Sequence, residues 1–247
     1  MKELFGLIGY PLGHSFSAKY FAEKFAKEGI DAEYKNFAIE NIEKLPGIIE
    51  ANPELCGLNV TIPYKQDVIP YLDTLDEAAK RIGAVNVISV KHTSTGVKLT
   101  GYNADVTGFM ESLRPLLKPQ HKEALVLGTG GASKAVVDGL KQLGIKPQYV
   151  SRTRKEGILA YEDVTQNIIA SHKLIVNCTP LGMYPKIDNA PNIDYDCITP
   201  EHLLYDLVYN PLETLFLRKG KEHGATTKNG LEMLHIQAEA SWRYWEK

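Results

Sequence analysis

The chain has 247 residues, of which 44% are hydrophobic and 23% are charged, and its formal net charge is −2. This balance excludes a general electrostatic attraction to nucleic acid or to a membrane surface, and no apolar stretch approaches the ~18 residues of a membrane span. Cys56, Cys178 and Cys197 are widely spaced and fit a reducing compartment better than a disulfide framework. We therefore expect a cytoplasmic protein without a metal site.

Short apolar segments alternate with helical patterns along the chain, which predicts an α/β fold with largely parallel sheets. In the first hundred residues the predicted strands are 4–8, 58–61, 85–90 and 97–102. One helix is predicted around Phe21 and Phe25, where Gly29 ends it, and a second over residues 40–51.

The pattern restarts in the second half of the chain. The predicted strands there are 124–127, one ending at 149–151, 174–177 and 203–207. A helix follows the first of these strands and ends at Gly144, and a last helix runs from Gly230 to about Trp245. The sequence therefore predicts two units, one in the first 100 residues and one over residues 105–225.

A glycine-rich turn, Gly128-Thr129-Gly130-Gly131-Ala132-Ser133, joins the strand 124–127 to its helix. Glycines let a backbone approach a pyrophosphate, and a helix N-terminus adds oriented N–H donors and partial positive charge. The spacing matches the dinucleotide-binding pattern except that Ser133 fills the third small position. A tight turn without a ligand is the alternative, and the strand before it and helix after it favour dinucleotide binding.

The next strand ends in Ser151-Arg152-Thr153-Arg154-Lys155, about 20 residues beyond the glycines. The acidic residue that NAD sites commonly place here is absent, and three cations are present. An arginine fork with small hydroxyl donors matches a 2′-phosphate. The segment favours NADP over NAD, and a solvated surface loop is the alternative.

Three polar clusters in the first half are candidates for chemistry. Ser15 and Ser17 offer hydroxyls for a carboxylate or for ring hydroxyls, or a helix N-cap. Lys65 follows the segment NVTIPY, with Asn86 nearby in GAVN, and it is either a desolvated general acid or a solvated surface charge. Asp105 either caps a helix or orients the lysine.

Nine segments, in order and with sensible spacing over nearly the whole chain, resemble the shikimate dehydrogenase family: GYPLGHSFS, NVTIPYK, GAVN, GYNADVTGF, LGTGGASKA, SRT, NCTPLGM, DLVYNPLET and NGLEMLHIQA. The resemblance implies an N-terminal α/β substrate domain, residues 1–103 with 229–247, and a Rossmann-type NADP-binding domain, residues 104–228. The C-terminal helix would return to the first domain. The implied activity is the reversible reduction of 3-dehydroshikimate to shikimate by NADPH in aromatic amino acid biosynthesis, carried out by a monomer or a homodimer.

The resemblance also implies which residues form the site. Lys65 would act as acid and base, paired with Asp105. Contacts to the substrate would come from Ser15, Ser17, Thr61, Asn86, Tyr209 and Gln237. The pyrophosphate would be held by Gly128, Thr129, Gly130, Gly131, Ala132 and Ser133. The adenosine ribose and its 2′-phosphate would meet Ser151, Arg152 and Thr153, and further cofactor positions would be Leu207, Gly230 and Glu77.

Two other functions stay open at this point. One is a broader quinate/shikimate dehydrogenase, with NAD as an alternative cofactor, and both the Ser15/Ser17 pair and Arg152 argue against it. The other is a non-catalytic sensor that binds a nicotinamide cofactor and a ring acid. The presence of both Lys65 and Asp105 favours catalysis over sensing.

Overall fold

A computed structural model describes residues 2–13 and 16–246 of the chain. It divides into two compact units, Met1–Ala104 with Ala238–Lys247, and Asp105–Gln237. Both units are mixed helix and sheet, so the predicted α/β class is confirmed. None of the helices in the described residues combines the length and the apolar character that a membrane crossing requires.

The first unit is built on one mixed sheet. Its elements are β1 (Glu3–Gly9), α1 (Phe16–Glu28), β2 (Ala32–Ala38), α2 (Leu45–Ala51), β3 (Leu55–Val60), β4 (Thr74–Leu75), α3 (Glu77–Ile82), β5 (Val87–Thr93) and β6 (Gly96–Tyr102). The strand order in the described residues is β2-β1-β3-β5-β6-β4. β1 is parallel to both β2 and β3, whereas β5 is antiparallel to both β3 and β6.

The second unit is built on a parallel sheet. Its elements are α4 (Asp105–Leu113), β7 (Glu123–Leu127), α5 (Gly131–Gln142), β8 (Lys146–Ser151), β9 (Ile158–Ala160), α6 (Gln166–Ser171), β10 (Leu174–Asn177), β11 (Leu203–Asp206), α7 (Leu215–Glu222), β12 (Thr226–Lys228) and α8 (Leu231–Trp245). The strand order is β12-β11-β10-β7-β8-β9, which is the doubly wound order of dinucleotide-binding sheets. The order reverses between β7 and β10, and ligands of such sheets bind outside the strand ends at that point.

Strand β1 shows why the first sheet has two covered faces. Leu4 and Ile8 lie in one apolar cluster with Leu58 of β3, and Phe5 lies in a second cluster. Alternate residues of a strand point to opposite faces, so an uninterrupted apolar run fills both cores at once. This is the reason that the run was recognisable in the sequence as a buried strand.

The helix α8 spans the boundary between the two units. Within the second unit, a side-chain carbon at Gly108 of α4 would come within 2.6 Å of the carbonyl oxygen of Met233, so glycine allows these two helices to pack closely. Within the first unit, the ring centroids of Trp245 and Phe5 lie 4.8 Å apart. The Nε1 of Trp245 donates to the carbonyl of Ile88 at 3.0 Å. Trp242 and Trp245 are therefore core residues.

The predicted elements and the observed ones differ in a consistent way. The eight predicted strands are present, with ends shifted by a few residues, and Gly29 and Gly144 adopt the left-handed conformation expected after a helix (φ +67° and +73°). The helix predicted over 40–51 is shorter, because a 3-10 turn at Ile42–Lys44 precedes α2. β2, β4, β9 and β12 were not predicted.

Candidate active site

One edge of the first sheet collects the polar residues of four separate segments. Ile8 of β1 lies beside Val60 of β3, and Val87 of β5 lies beside both Asn59 and Tyr102. The carboxyl ends of β1, β3 and β6 therefore meet where β5 begins. The segments GYPLG, TIPYK, GAVN and NAD all leave the sheet at this edge.

The turn that carries Lys65 is fixed on both sides. Thr61 N donates to Ile8 O at 2.9 Å, which joins the turn to the end of β1. The buried Tyr64 donates its hydroxyl to Ile39 O at 2.6 Å, and Val85 N donates to Lys65 O at 2.7 Å. The Lys65 side chain is half-buried. These contacts hold the backbone of Lys65 at the sheet edge, next to GAVN, while its side chain stays flexible.

Asn86 is oriented by the backbone around it. It is 3% exposed, and its Oδ1 accepts from Ala104 N at 2.7 Å. The neighbouring Asn103, fully buried, donates its Nδ2 to Ala84 O at 2.9 Å. The segments GAVN and YNA therefore hold each other in register, and Asp105, itself buried, is the next residue and begins α4.

A chain of hydrogen bonds connects Ser17 to Asn59 at the end of β3. The Tyr34 hydroxyl donates to Asn59 Oδ1 at 2.8 Å, and the Ser17 side chain is its second partner. Asn59 Nδ2 in turn donates to Ser241 Oγ at 3.0 Å. Burial raises the pKa of Tyr34, so it stays a donor. Ser15 lies outside the described residues.

Replacing Tyr34 by phenylalanine should lower the free energy of unfolding by about 1–2 kcal/mol, because the buried Oδ1 of Asn59 loses its donor. Urea titrations followed by tryptophan fluorescence measure this, since both tryptophans lie in the first unit. The matched control is Tyr71→Phe, because the Tyr71 hydroxyl has no hydrogen-bond partner among the described residues. Equal losses in the two variants would contradict the role of Tyr34.

The glycine turn lies at the point where the second sheet reverses its strand order. Gly128 has φ +105°, a conformation that side chains disfavour, and a side-chain carbon there would lie 3.0 Å from Thr179 Cγ2 beyond β10. A side-chain carbon at Gly130, the N-cap of α5, would meet nothing within 4 Å. The turn therefore leaves open space at the N-terminus of a 12-residue helix.

Ser133 packs the glycine turn against the sheet. It is fully buried, its hydroxyl donates to Gly130 O at 2.7 Å, and its carbonyl accepts from the Tyr149 hydroxyl at 3.3 Å. The third small position of the pattern serves close packing of helix on sheet. The serine meets this requirement by satisfying its own hydroxyl locally.

The loop after β8 begins one strand away from the glycine turn, because Gly128 N donates to Val150 O at 2.8 Å. Arg152 and Thr153 are exposed there. The Ser151 hydroxyl donates to Thr153 O at 2.6 Å and accepts from Thr153 N at 3.2 Å. Ser151 therefore shapes the loop with its hydroxyl.

The remaining predicted cofactor residues of the second unit follow β11. Leu207 N donates to Asn177 O at 3.0 Å, and Gly230 N donates to Val208 O at 3.1 Å. A side-chain carbon at Gly230 would lie 2.1 Å from Leu207 O, so only glycine fits this approach. Tyr209 is partly buried, which raises its pKa.

Asp206, which the sequence analysis did not single out, ties these loops together. It ends β11, is fully buried, and its carboxylate accepts from Asn177 Nδ2 at 3.0 Å, from Val208 N at 3.0 Å and from Thr214 Oγ1 at 2.6 Å. Asn177 Oδ1 accepts from Thr179 N at 3.0 Å. The available signal was a polar residue closing an apolar strand, in LIVN and again in LLYD.

Two further predicted residues lie on helices. Glu77 begins α3, its side chain is 86% exposed, and it pairs with Lys80 at 2.8 Å, which holds the pKa of its carboxyl below the usual range. Gln237 lies on α8, is 9% exposed, and donates its Nε2 to Leu234 O at 3.1 Å. The structure groups Thr61, Lys65 and Asn86 at one sheet edge and the glycine turn with Arg152 and Thr153 at another.

The second sheet with its glycine turn defines a dinucleotide-binding fold, and comparison with known proteins identifies the family. The sequence profile of the shikimate dehydrogenase substrate binding domain matches residues 7–88. The chain is 36% identical to the shikimate dehydrogenase (NADP(+)) of Desulforamulus reducens, covering 97% of this chain and 88% of the relative. It is 40% identical to that of Clostridium beijerinckii, covering 99% and 92%.

A solved structure agrees with these relatives. The shikimate 5-dehydrogenase of Thermus thermophilus, in complex with NADP(H) and shikimate, superimposes with a TM-score of 0.85 at 32% identity and covers 98% of this chain and 93% of its own. The chain belongs to the shikimate dehydrogenase family.

Proposed function

We propose that this protein reduces 3-dehydroshikimate reversibly to shikimate, with residues 1–103 and 229–247 binding the ring acid and residues 104–228 binding NADP. The protein is an NADP-dependent oxidoreductase that acts on a CH–OH group. One observation supports the assignment most directly. Thr61, Lys65 and Asn86 converge at one sheet edge in a chain whose second sheet has the doubly wound order.

The residues of the second unit fit NADP. The open space at Gly130 and the left-handed Gly128 suit a pyrophosphate at the N-terminus of α5. We assign the pyrophosphate to the backbone of residues 128–132, and Ser133 to packing beneath it. Arg152 and Thr153 would hold the 2′-phosphate, and Leu207 and Gly230 would line the nicotinamide end. When bound, NADPH supplies the hydride that reduces the ring carbonyl carbon.

The chain's own residues would then place and move one proton. Lys65 donates a proton from its ammonium group to the oxygen that becomes the shikimate hydroxyl, and takes it back in the reverse direction. Asp105 orients Lys65 and balances its charge. Asn86, whose Oδ1 is fixed by Ala104 N, presents its amide to a ring hydroxyl. The protein therefore contributes positioning and local electrostatics.

Substrate contacts complete the proposal. Ser15, Ser17 and Thr61 would bind the carboxylate, while Tyr209 and Gln237 would contact the ring. Ser17 is well suited because Tyr34 holds its side chain. The proposal includes a cytoplasmic location, which the free cysteines support, and a monomer or a homodimer.

The test is turnover followed at 340 nm with the purified protein. Shikimate and quinate are each offered with NADP and with NAD. We expect NADPH formation from shikimate to exceed every other combination. Equal turnover of quinate, or equal use of NAD, would move the assignment to a broader quinate/shikimate dehydrogenase. Absence of turnover from a folded protein that binds NADP would favour a non-catalytic sensor.

A further inference from the structure

Of the three cations in the segment Ser151–Lys155, Arg154 already has a partner. Its Nε donates to Asp163 Oδ2 at 2.9 Å, and one terminal nitrogen donates to Asp163 Oδ1. A guanidinium and a carboxylate joined by two parallel hydrogen bonds form the most specific ion pair that side chains make. One edge of the Arg154 fork is therefore occupied before any ligand arrives.

Asp163 is itself held in place. Its Oδ2 also accepts from Ala160 N at 2.8 Å, and its side chain is 16% exposed whereas that of Arg154 is 66% exposed. Ala160 ends β9, where it lies beside Ser151 at the end of β8. The pair therefore anchors the loop after β8 to the end of β9, the strand next to the one from which the loop starts.

The other end of the loop is also closed. Lys155 and Ile158 exchange backbone hydrogen bonds at 3.2 and 3.0 Å, and the Ser151 hydroxyl closes a turn with Thr153. With Arg154 clamped between these two turns, the loop has a defined shape before binding. A binding loop held in its bound shape loses less entropy when the ligand arrives.

Arg152 differs from Arg154 in its surroundings. It is exposed, and within residues 2–13 and 16–246 no carboxylate forms an ion pair with it. Its whole fork is available for an anion. The charge of Arg154, by contrast, is balanced by Asp163.

We propose that Asp163 is a positioning residue for NADP selection: it anchors Arg154 as part of the loop wall, so that the 2′-phosphate is bound by Arg152. This inference rests on the proposed use of NADP and adds two roles to it. Arg154, one of the three cations of the segment, becomes a structural residue. The carboxylate of Asp163 would repel a nearby 2′-phosphate, but Asp163 favours binding of the phosphate because it orders the loop.

The test is equilibrium binding, which needs no turnover. Calorimetry at fixed ionic strength gives the dissociation constants of adenosine 2′,5′-bisphosphate and of AMP, and their ratio reports recognition of the 2′-phosphate alone. The variants are Arg152→Gln, Arg154→Gln, Asp163→Asn and the double variant of the last two. Asp163→Asn keeps an acceptor for Ala160 N. Lys146→Gln, which breaks the exposed pair with Glu123 in the same unit, is the control for a change in charge.

The expected pattern is specific. Arg152→Gln should reduce the preference for the bisphosphate by about 50-fold, because a charge-assisted bidentate contact is lost. Arg154→Gln and Asp163→Asn should each reduce it by about fivefold, with AMP binding unchanged, and the double variant should lose no more than either single one.

Three results would overturn the inference. Stronger bisphosphate binding by Asp163→Asn would mean that the released Arg154 reaches the phosphate. If Arg154→Gln lowered the preference for the bisphosphate as much as Arg152→Gln does, Arg154 would be a direct ligand. If the losses in Arg154→Gln and Asp163→Asn were additive in the double variant, Arg154 and Asp163 would act independently. If the unmodified protein showed no preference for the bisphosphate, the NADP assignment itself would fail, which is a distinguishable result.

Discussion

Lys65→Met should lower kcat for shikimate oxidation by about 10²–10⁴-fold, the range that a positioned acid or base contributes. Methionine retains most of the length of the lysine stem and removes the proton that the reaction transfers. The KM for NADP should change less than about threefold, because Lys65 belongs to the first sheet edge rather than to the glycine turn. Initial rates at 340 nm, with both substrates varied in turn, separate the two parameters.

A second substitution divides the possible roles of Lys65. Lys65→Arg keeps the positive charge but cannot release a proton near neutral pH. If Lys65 acts by proton transfer, the arginine variant should be nearly as slow as the methionine variant. If it acts only as a positive charge, the arginine variant should recover much of the rate.

The matched control is Lys44→Met, since Lys44 is an exposed lysine of the same unit, paired on the surface with Glu40 at 3.8 Å. Its kcat should equal that of the unmodified protein. Circular dichroism of each variant confirms that the fold is intact. A Lys65→Met variant that is folded and retains more than a tenth of kcat would remove Lys65 from the mechanism.

How far the sequence predicts this fold depends on where a strand lies in its sheet. The interior strands β1 and β7 are covered on both faces, so each is an apolar run of four or more residues, and β10 is an apolar run of three that ends at Asn177. The four unpredicted strands, β2, β4, β9 and β12, are the edges of the two sheets in the described residues. β4, β9 and β12 are only two or three residues long, and the seven-residue β2, AEYKNFA, is partly exposed and has no clear period.

The site shows the same division between local and long-range information. The glycine turn and the loop after β8 were recognisable because their function depends on residues close in sequence. Tyr34 and Asn59 were not, since they are 25 residues apart and only the pairing of β1 with β2 and β3 brings them together. The role of Arg154 was not recognisable either, because its partner Asp163, nine residues further on, is reached through tertiary contact.

The buried carboxylate of Asp206 should make this protein less stable as the pH rises from about 4 to about 6. Burial raises the pKa of Asp206 from its ordinary 3.8 to about 6, although hydrogen bonds from Thr214, Val208 N and Asn177 oppose the shift. Within this window the folded state keeps a proton that the unfolded state has released. The contribution of Asp206 to the free energy of unfolding therefore falls with rising pH, by about 3 kcal/mol across the window.

Asp206→Asn isolates this effect from the other carboxylates. Its amide oxygen can still accept from Asn177 and Val208 N, and its amide nitrogen can donate to Thr214 Oγ1 if that hydroxyl reverses. Relative to the unmodified protein, the variant should gain about 3 kcal/mol between pH 4 and pH 7. Urea titrations followed by far-ultraviolet circular dichroism measure the difference, because the tryptophans report only the first unit.

Asp188→Asn, at an exposed aspartate of the same unit, is the control and should show no such trend. A difference between Asp206→Asn and the unmodified protein that stays constant from pH 4 to pH 7 would contradict the titration of Asp206. A buried carboxylate that weakens the fold at neutral pH needs another reason to be present. The three hydrogen bonds that it accepts come from the last residue of β10 and from the segment after β11, so its contribution is to hold in place the backbone that carries Leu207 and Tyr209.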